Sequence, residues 1–522
     1  MNFKDYENYP RSLAKDYYIY RYLTEQNPTP KEASTLFFQT QTLSPTLLQA
    51  FGKKLEDQGL NHAIKCLNLA QAQFWEVDDN CQAIRISPSL FVTFSLKQRK
   101  FLYKKLNSLF PNYFEWMPVL LEENPLEKAL KSPDFIYLYT NVGLDFRLKN
   151  FNSLISLEVL EELSKKSNFE TFVNKVILEG VHDKIEISLL SLNPSSISAT
   201  SYTAFLLGLN ALMHENPNLA VDWFELSIQK SYYQSDKDKA LFWQYLATKN
   251  DEYLKTIAKS WDFNIYSIAA KEYLNEEPFE LIVPNPVENK RENYSITDPF
   301  TWNETLKFLQ NRSLLALEKI ASSFFTKTTL PHYSFIKERA NSYKSHYFAI
   351  PYEDLLEKIS VDRKALILAI SRQESRFIPA SISTSFALGM TQFMPFLARH
   401  IAKEQKIENF DLDHMFSPST AYRFADIHLD YLSSWLYHPL LVAYAYNGGI
   451  GFTKRMLLEG NLFKKEKYEP FLSMELVAYA ESREYGKKVL ANYVAYKKIL
   501  KEEVLIWDLF ETLKSPDESH RF

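Results

Sequence analysis

Glycine is unusually scarce in this chain, with 11 glycines among 522 residues. Soluble proteins contain about 7% glycine on average. β-Hairpins and β-bulges use glycine for backbone conformations with positive φ, whereas helix interiors exclude it because it loses much conformational entropy there. The shortage therefore predicts an all-α protein.

The overall composition is that of an ordinary globular protein, with 46% hydrophobic and 24% charged residues. Aromatic residues reach 15%, which we interpret mainly as large side chains packed between helices. The formal net charge is −4, and residues 346–522 carry 22 basic against 23 acidic side chains. Since a nucleic-acid-binding protein needs a basic face, we expect no nucleic-acid partner.

Short helices in succession are the clearest pattern in the first half of the chain. Residues 201–249 carry apolar residues at spacings of three and four, interrupted by breaks at 216–218 and 235–237. Helical hairpins of this kind are typical of an α-solenoid, in which each pair buries its apolar face against the next. We therefore assign residues 1–285 to an α-superhelical solenoid domain.

Prolines cluster around the end of this region, at Pro278, Pro284 and Pro286. Proline lacks a backbone donor, and the residue before it avoids the helical conformation, so this stretch indicates an extended connector. We predict a linker with a small helical domain over residues 286–345, followed by a C-terminal α domain over residues 346–522.

Glu374 lies in the segment 371–377, SRQESRF. We place this segment at the end of a helix that has Asp362 as its N-cap and stops before Pro379. Short polar side chains are favoured at N-caps, and proline cannot continue a helix. Glu374 therefore falls in the last turn of a helix.

Leu366, Ile370 and Glu374 follow one another at intervals of four residues, which puts the carboxyl group on an apolar stripe. Loss of hydration on such a stripe raises the pKa of a carboxyl group, as a general acid at neutral pH requires. The structural alternative is a glutamate that is ion-paired with Arg372 or Arg376, or solvated at the helix end.

Three further segments carry polar and aromatic side chains suited to binding a sugar polymer. They are 389–395 (GMTQFMP) with the serines upstream of it, 443–449 (AYAYNGG), and 475–490. Ordinary capping, packing and an exposed charged helix are the structural alternatives for these segments. The candidate substrate-binding residues are Ser383, Gln392, Met394, Tyr446, Asn447, Glu481 and Tyr485.

Two cysteines, Cys66 and Cys81, are too few for a disulfide scaffold, and the sequence leaves open whether they bond to each other. No pattern of His and Cys ligands indicates a metal site, since His428 and His438 lie far from other donors in the sequence. We expect neither a metal nor a cofactor.

No apolar run approaches the roughly 20 residues that span a bilayer, so we expect no integral membrane segment. The first residues lack the apolar core of a secretory signal. The expectation is either a cytosolic protein or a processed chain with an added methionine.

Together the four segments, in this order over residues 371–490, resemble the catalytic domain of the soluble lytic transglycosylases. These are lysozyme-like enzymes that cleave bacterial peptidoglycan. The helical region before them is similar in kind to the superhelical, ring-forming domain of the large soluble subgroup. The resemblance implies that Glu374 is the single catalytic residue and that the other candidates line the glycan cleft. His428 falls where a cleft tyrosine is common, which adds it to the sugar-contacting candidates.

The chain departs from the family pattern at several positions. Phe386 stands where the family usually has glycine, and Thr391 where it has methionine. Gly448 and Ile450 replace alanine and proline after the Tyr-Asn pair, and Ala425 replaces a usual glycine. None of these changes removes the acid, so they bear on subsite preference more than on activity.

The resemblance implies non-hydrolytic scission of the β-1,4 bond between N-acetylmuramic acid and N-acetylglucosamine, with a 1,6-anhydro product. Glu374 would act first as general acid and then as base, and the N-acetyl group of the substrate would replace the second carboxylate of ordinary glycosidases. We expect peptidoglycan strands as the partner, a monomer, and a periplasmic location inferred from this substrate. A goose-type-lysozyme-like hydrolase and a non-catalytic helical scaffold stay open as alternatives.

Overall fold

The computed structural model describes residues 3–55, 57–460 and 462–522, and these are almost wholly helices and their connections. Within them, extended pairing is limited to isolated bridges such as those of Ile282 with Tyr347 and Leu388 with Phe393. The all-α prediction is therefore confirmed. Among the same residues, no helix is both long enough and apolar enough to cross a membrane.

The chain divides into two compact units. Residues 1–55 belong with residues 257–522, and residues 56–256 form the second unit. The association of the first 55 residues with the C-terminal half has no signal in the sequence. The predicted boundaries at 285 and 345 remain predictions.

Three helices open the first unit, after a short 3-10 helix at Phe3–Asn8. Their N-caps Ser12, Thr29 and Ser44 each accept a hydrogen bond from a backbone N–H three residues later, which stabilises the first helical turn. The helices are α1 (Leu13–Glu25), α2 (Pro30–Phe37) and α3 (Pro45–Gly52).

The second unit consists of short helices joined by brief turns, with 3-10 helices at Gln71–Glu76 and Met117–Leu121. Its helices, the last of which runs on into the first unit, are α4 (Gln58–Leu67), α5 (Asp79–Arg85), α6 (Pro88–Phe91), α7 (Leu96–Leu109), α8 (Leu126–Lys131), α9 (Phe135–Asn141), α10 (Leu144–Asn150), α11 (Leu157–Ser164), α12 (Phe169–Glu179), α13 (Asp183–Leu189), α14 (Ser201–Met213), α15 (Pro217–Lys230), α16 (Gln234–Thr248) and α17 (Asp251–Ala258). A disulfide between Cys66 and Cys81 joins α4 to α5 and answers the question that the sequence left open.

Helices α14, α15 and α16 match the helical series predicted for residues 201–249. Gly208 allows α14 to approach α15 closely, because a Cβ at this position would lie 2.5 Å from the ring of Phe224. Phe205, Phe224 and Trp243 then form an aromatic cluster with centroids 5.6 to 6.3 Å apart. Each helix thus buries its apolar face on its neighbour, as the hairpin pattern predicts.

The C-terminal part of the first unit also includes 3-10 helices at Glu353–Leu356 and Leu412–Phe416. Its α-helices are α18 (Ile265–Tyr273), α19 (Pro299–Leu309), α20 (Leu314–Ser322), α21 (Leu330–Ala340), α22 (Val361–Ser375), α23 (Pro395–Glu404), α24 (Pro418–Ser433), α25 (Pro439–Gly448), α26 (Ile450–Leu458), α27 (Phe471–Leu476), α28 (Ala480–Ile499), α29 (Ile506–Leu513) and α30 (Pro516–Ser519).

Helix α28 is the centre of this region, because it packs against both α22 and α25. Gly486 makes the contact with α25 possible, since a Cβ there would lie 2.2 Å from Cε1 of Tyr444. Leu366 and Ile370 of α22 are buried as their spacing predicts. These three helices carry most of the candidate site.

Helix α1 packs on the part of the first unit that precedes α23. The ring of Phe386 contacts Tyr17 and Tyr20 of α1, with centroids 5.9 and 5.2 Å away. Phe386 is buried and has a positive φ of 65°, a conformation that favours glycine. Packing against α1 offsets the strain of that backbone conformation.

Candidate active site

Glu374 occupies the last turn of α22, but the start of this helix differs from the prediction. The N-cap is Ser360, and Asp362 lies in the first turn. The carboxylate of Asp362 instead accepts hydrogen bonds from Lys497 Nζ at 2.5 Å and from the Tyr493 hydroxyl at 3.1 Å. The assignment of Asp362 as N-cap was therefore wrong, because its carboxylate accepts hydrogen bonds from residues of α28 and does not cap the helix.

Two residues with positive φ end the helix directly after the candidate acid. Arg376 and Phe377 have φ values of 55° and 63°. Their backbone N–H groups donate to the carbonyl oxygens of Arg372 and Ser371, at 3.1 and 3.2 Å. This C-terminal capping fixes the turn that carries Glu374.

Both arginines that flank Glu374 form ion pairs with another residue, Glu338 of α21. Arg372 Nη2 lies 2.7 Å from Glu338 Oε1, and Arg376 Nε lies 2.8 Å from Glu338 Oε2. Although burial raises the pKa of Glu338, the two guanidinium groups lower it overall. The interpretation of Glu374 as an ion-paired glutamate therefore does not hold.

Glu374 is half-buried, and burial raises its pKa to about 8. The Tyr485 hydroxyl donates a hydrogen bond to Glu374 Oε1 at 2.8 Å and lowers this pKa, while the negative charge of Glu481 raises it. Loss of hydration outweighs the hydrogen bond, so the carboxyl group is largely protonated at neutral pH.

Tyr446 of α25 stands next to this pair. Its hydroxyl donates to the carbonyl oxygen of Thr391 at 2.8 Å, and the charge of Glu374 contributes to raising its pKa. The ring of His428 lies 5.5 Å from that of Tyr446 and 5.9 Å from that of Phe393. Burial lowers the pKa of His428 to about 4, so its imidazole is neutral at pH 7.

The segment that carries Gln392 is held in a tight turn. Gln392 has a φ of 50°, and its Nε2 donates to the carbonyl oxygens of Gly389 at 2.6 Å and Ser381 at 3.3 Å. Only glycine fits at position 389, because its φ is 74° and a Cβ would lie 2.1 Å from the carbonyl oxygen of Met415. Because Nε2 donates to these two carbonyl oxygens, Gln392 Oε1 can accept a hydrogen bond from a ligand.

Asn447 belongs to a polar cluster between α25 and α28. Its Oδ1 accepts from the Ser482 hydroxyl at 2.6 Å, and its Nδ2 donates to Glu481 Oε1 at 3.4 Å. Ser482 is buried and Glu481 is exposed. The cluster therefore places the amide of Asn447, at the end of α25, beside the carboxylate of Glu481, at the start of α28.

The structure brings together most of the residues predicted from the sequence. Tyr485, Glu481 and Tyr446 all interact with Glu374, and Asn447 and His428 join them through Glu481 and Tyr446.

Two further candidates, Ser383 and Met394, lie in the connection between α22 and α23. The Ser383 hydroxyl accepts from the backbone N–H of Ala387 at 2.9 Å and so closes its own turn. Met394 is half-buried and forms the N-cap of α23.

No pattern in the sequence indicates the roles of Glu338, Ser482 or the carbonyl oxygen of Thr391. A backbone acceptor leaves no trace in side-chain patterns, and the partners of Glu338 are 34 and 38 residues away in the chain.

Comparison with known proteins gives one family match, to the Transglycosylase SLT domain over residues 356–469. The soluble lytic murein transglycosylase of Salmonella typhimurium is 27% identical over 167 residues, which is 31% of this chain and 25% of the relative. The enzyme of the same name from Escherichia coli K12 is 29% identical over 154 residues, which is 28% of this chain and 23% of the relative. Each match thus spans about a quarter of the relative's length.

Two solved structures resemble the whole chain only loosely. An inactive mutant of the lytic transglycosylase Slt from Pseudomonas aeruginosa has a TM-score of 0.44 and 14% identity, covering 94% of this chain and 90% of that one. The 70-kDa soluble lytic transglycosylase Slt70 of Escherichia coli has a TM-score of 0.36 and 15% identity, covering 96% and 85%. These TM-scores are too low to support an argument. The family match lies in the C-terminal region, where residues 356–469 are similar to the Transglycosylase SLT domain.

Proposed function

We propose that this protein is a peptidoglycan lytic transglycosylase in which Glu374 is the catalytic residue. The observation that carries the proposal is the half-buried carboxyl group of Glu374, which accepts a hydrogen bond from Tyr485 and whose pKa burial raises to about 8. A carboxyl group that is protonated at neutral pH can donate a proton to a glycosidic oxygen. The SLT domain match and the murein transglycosylase names of the relatives supply the substrate class.

In the first step, Glu374 gives its proton to the oxygen that bridges N-acetylmuramic acid and N-acetylglucosamine. The bond from that oxygen to C1 of the muramyl residue breaks, and positive charge develops at C1. Ordinary glycosidases stabilise this charge with a second carboxylate. Glu481 is exposed and accepts from Asn447, so we assign the stabilisation to the carbonyl oxygen of the substrate's own N-acetyl group.

In the second step, ionised Glu374 takes the proton of the C6 hydroxyl of the same muramyl residue. The C6 oxygen then bonds to C1 and forms the 1,6-anhydro ring, and Glu374 is protonated again. The hydrogen bond from Tyr485 stabilises the ionised carboxylate that exists between the two steps, so this contact favours the preceding proton donation.

The polar groups around Glu374 are suited to hold an aminosugar chain. Amide and hydroxyl groups can exchange hydrogen bonds with N-acetyl and hydroxyl groups, and the edges of aromatic rings can contact sugar faces. The residues that we assign to substrate contact are Ser383, Gln392, Met394, His428, Tyr446, Asn447, Glu481 and Tyr485.

Product analysis of digested peptidoglycan tests this proposal. The wild-type protein should release muropeptides with 1,6-anhydro ends, which mass spectrometry finds one water lighter than hydrolytic products. Glu374→Gln keeps the shape of the side chain but removes the proton, so it should release none. Glu408→Gln, at an exposed glutamate of the same domain, is the matched control and should cleave like the wild type.

The other outcomes separate the alternatives. Products that carry an added water would indicate a goose-type-lysozyme-like hydrolase. Absence of cleavage by the correctly folded wild-type protein would favour a helical scaffold without activity. The substrate, if confirmed, would place the protein in the periplasm on glycan strands, and we propose that it acts there as a monomer.

A further inference from the structure

Four metal-binding side chains meet where α4 and α5 are joined in the second unit. His62 and Cys66 lie four residues apart on α4 and therefore share one face of the helix. Asp78 is the N-cap of α5, and Cys81 lies in its first turn. Eleven residues separate Cys66 from Asp78 in the sequence, so spacing alone does not reveal the cluster.

Two of the distances between the donor atoms, both from the imidazole of His62, match those of a tetrahedral zinc site. His62 Nε2 lies 3.5 Å from Cys66 Sγ and 3.3 Å from Asp78 Oδ2. The ligand atoms of His62, Cys66 and Cys81 all lie within 4.8 Å of one another. Zinc bonds of about 2.0–2.3 Å place neighbouring ligand atoms roughly 3.3–3.8 Å apart, so two edges of the tetrahedron already have suitable lengths.

The orientation of the carboxylate is fixed as well. Asp78 Oδ1 accepts the backbone N–H of Cys81 at 3.0 Å, while Oδ2 lies on the side of His62. Both cysteines are buried, whereas the side chains of His62 and Asp78 are about half exposed. An ion from solvent would thus meet the imidazole and carboxylate first, with the two sulfur atoms behind them.

We propose that His62, Cys66, Asp78 and Cys81 form a redox-gated site that binds one Zn²⁺ ion when the Cys66–Cys81 disulfide is reduced. A dithiol reductant supplies two electrons and two protons to the S–S bond and becomes a disulfide itself. Zn²⁺ then displaces the two thiol protons into solvent and binds both thiolates, the imidazole and the carboxylate. In this way α4 and α5 stay linked, by a covalent bond when oxidised and by an ion when reduced.

Cobalt binding to the full-length protein tests this site, independently of any activity on peptidoglycan. The protein is reduced anaerobically with a phosphine, freed of reductant, and assayed for two thiols. Titration with Co²⁺ should then produce the absorption of tetrahedral cobalt–thiolate, saturating at one equivalent and disappearing when Zn²⁺ is added. The oxidised protein should give no such absorption.

Matched variants locate the site. The double variant Cys66→Ser and Cys81→Ser should lose the cobalt signal. His62→Ala, at an exposed position, should weaken Zn²⁺ binding about tenfold or more, because even the loss of a ligand's supporting group costs that much. His214→Ala, at another histidine of the same unit, should bind as the wild type does.

Any of four results would overturn the proposal. One is a disulfide that cannot be reduced in the folded protein, and another is a reduced wild type that binds no more cobalt than the double serine variant. The third is His62→Ala binding Zn²⁺ with wild-type affinity. If reduction lowers the helix content, Zn²⁺ should restore the circular dichroism of the reduced wild type, and failure to restore it would also contradict the proposal.

Discussion

Tyr485 donates a hydrogen bond to Glu374 Oε1 at 2.8 Å, and this contact joins α28 to α22 across 111 residues of sequence. Burial of Glu374 favours the protonated carboxyl group, whereas the hydrogen bond favours the ionised one. The proposed reaction uses both forms in turn. The Tyr485–Glu374 pair is therefore the contact that balances the acid step against the base step.

Replacement of this tyrosine is the first test. Tyr485→Phe should raise the pKa of Glu374 further and shift the alkaline limb of the activity profile to higher pH. Hydrogen bonds to charged groups contribute about 1.5–3 kcal/mol, so the rate of the step in which Glu374 gives up its proton should fall roughly 10- to 100-fold. Glycan release measured across a pH series gives both the shift of the alkaline limb and the fall in rate. Tyr479→Phe, at the exposed tyrosine that precedes the first residue of α28, should leave the profile unchanged.

The same pKa predicts a link between pH and stability. The folded protein holds a proton on Glu374 up to about pH 8, whereas the unfolded chain loses it near the ordinary value of 4.5. Its contribution to stability is therefore full below pH 4.5 and is lost as the pH rises towards 8.

Glu374→Gln should remove this dependence, since glutamine carries no charge at any of these pH values. The variant should match the wild type near pH 4.5 and be more stable by roughly 3–5 kcal/mol at pH 8 and above, at about 1.4 kcal/mol per pKa unit. Urea unfolding at the two pH values measures the difference. Equal stability of the two proteins at pH 8 would mean that Glu374 titrates normally.

Glu338 should matter for stability far more than a solvent-exposed paired glutamate. Glu338→Gln leaves Arg372 and Arg376 without their counter-charge, and Arg372 is buried. Breaking a buried ion pair in this way costs about 3–5 kcal/mol. Urea unfolding at neutral pH should show this loss.

The control involves the same helix, α21. Glu318 pairs with Lys337 of α21, but its side chain is half exposed. Glu318→Gln should therefore change the free energy of unfolding by about 1 kcal/mol or less. A similar loss in both variants would show that Glu338 is an ordinary surface partner.

Two glycines should respond in opposite directions to alanine. At Gly486 a Cβ would meet Tyr444 at 2.2 Å, so Gly486→Ala should push α28 away from α25. Overpacking of this kind costs about 1–3 kcal/mol and should also lower activity, because α28 carries Tyr485. Gly451→Ala, where the nearest atom is the flexible Arg455 side chain at 3.7 Å, should be neutral or slightly stabilising. Thermal unfolding together with glycan release distinguishes the two.

Local patterns in the sequence predict the helices and the partial burial of Glu374 well. The glycine shortage gives the all-α class, and the spacing of Leu366, Ile370 and Glu374 predicts the stripe that buries the carboxyl group. The error at Asp362 shows the limit of local reasoning. Several polar residues can cap a helix. Here Lys497 and Tyr493, more than 130 residues away, bind the carboxylate of Asp362, so Asp362 does not cap α22.

The departures from the family pattern also become understandable only in three dimensions. Phe386 keeps a positive φ although it is not glycine, because α1 packs on its ring. Gly448 has no room for the family's alanine, since a Cβ would lie 2.6 Å from the ring of Phe452. Both contacts involve residues that no spacing rule connects. The same holds for the cluster around Cys66, whose donors come from two helices.

Direct titration of Glu374 is the most decisive measurement. Carbon NMR of protein with labelled glutamate carboxyl groups, with Glu374→Gln to assign the resonance, gives its pKa in the folded state. The structure predicts a value of about 8. Titration near 4.5 would mean that the side chain is ionised at neutral pH and cannot serve as the proton donor.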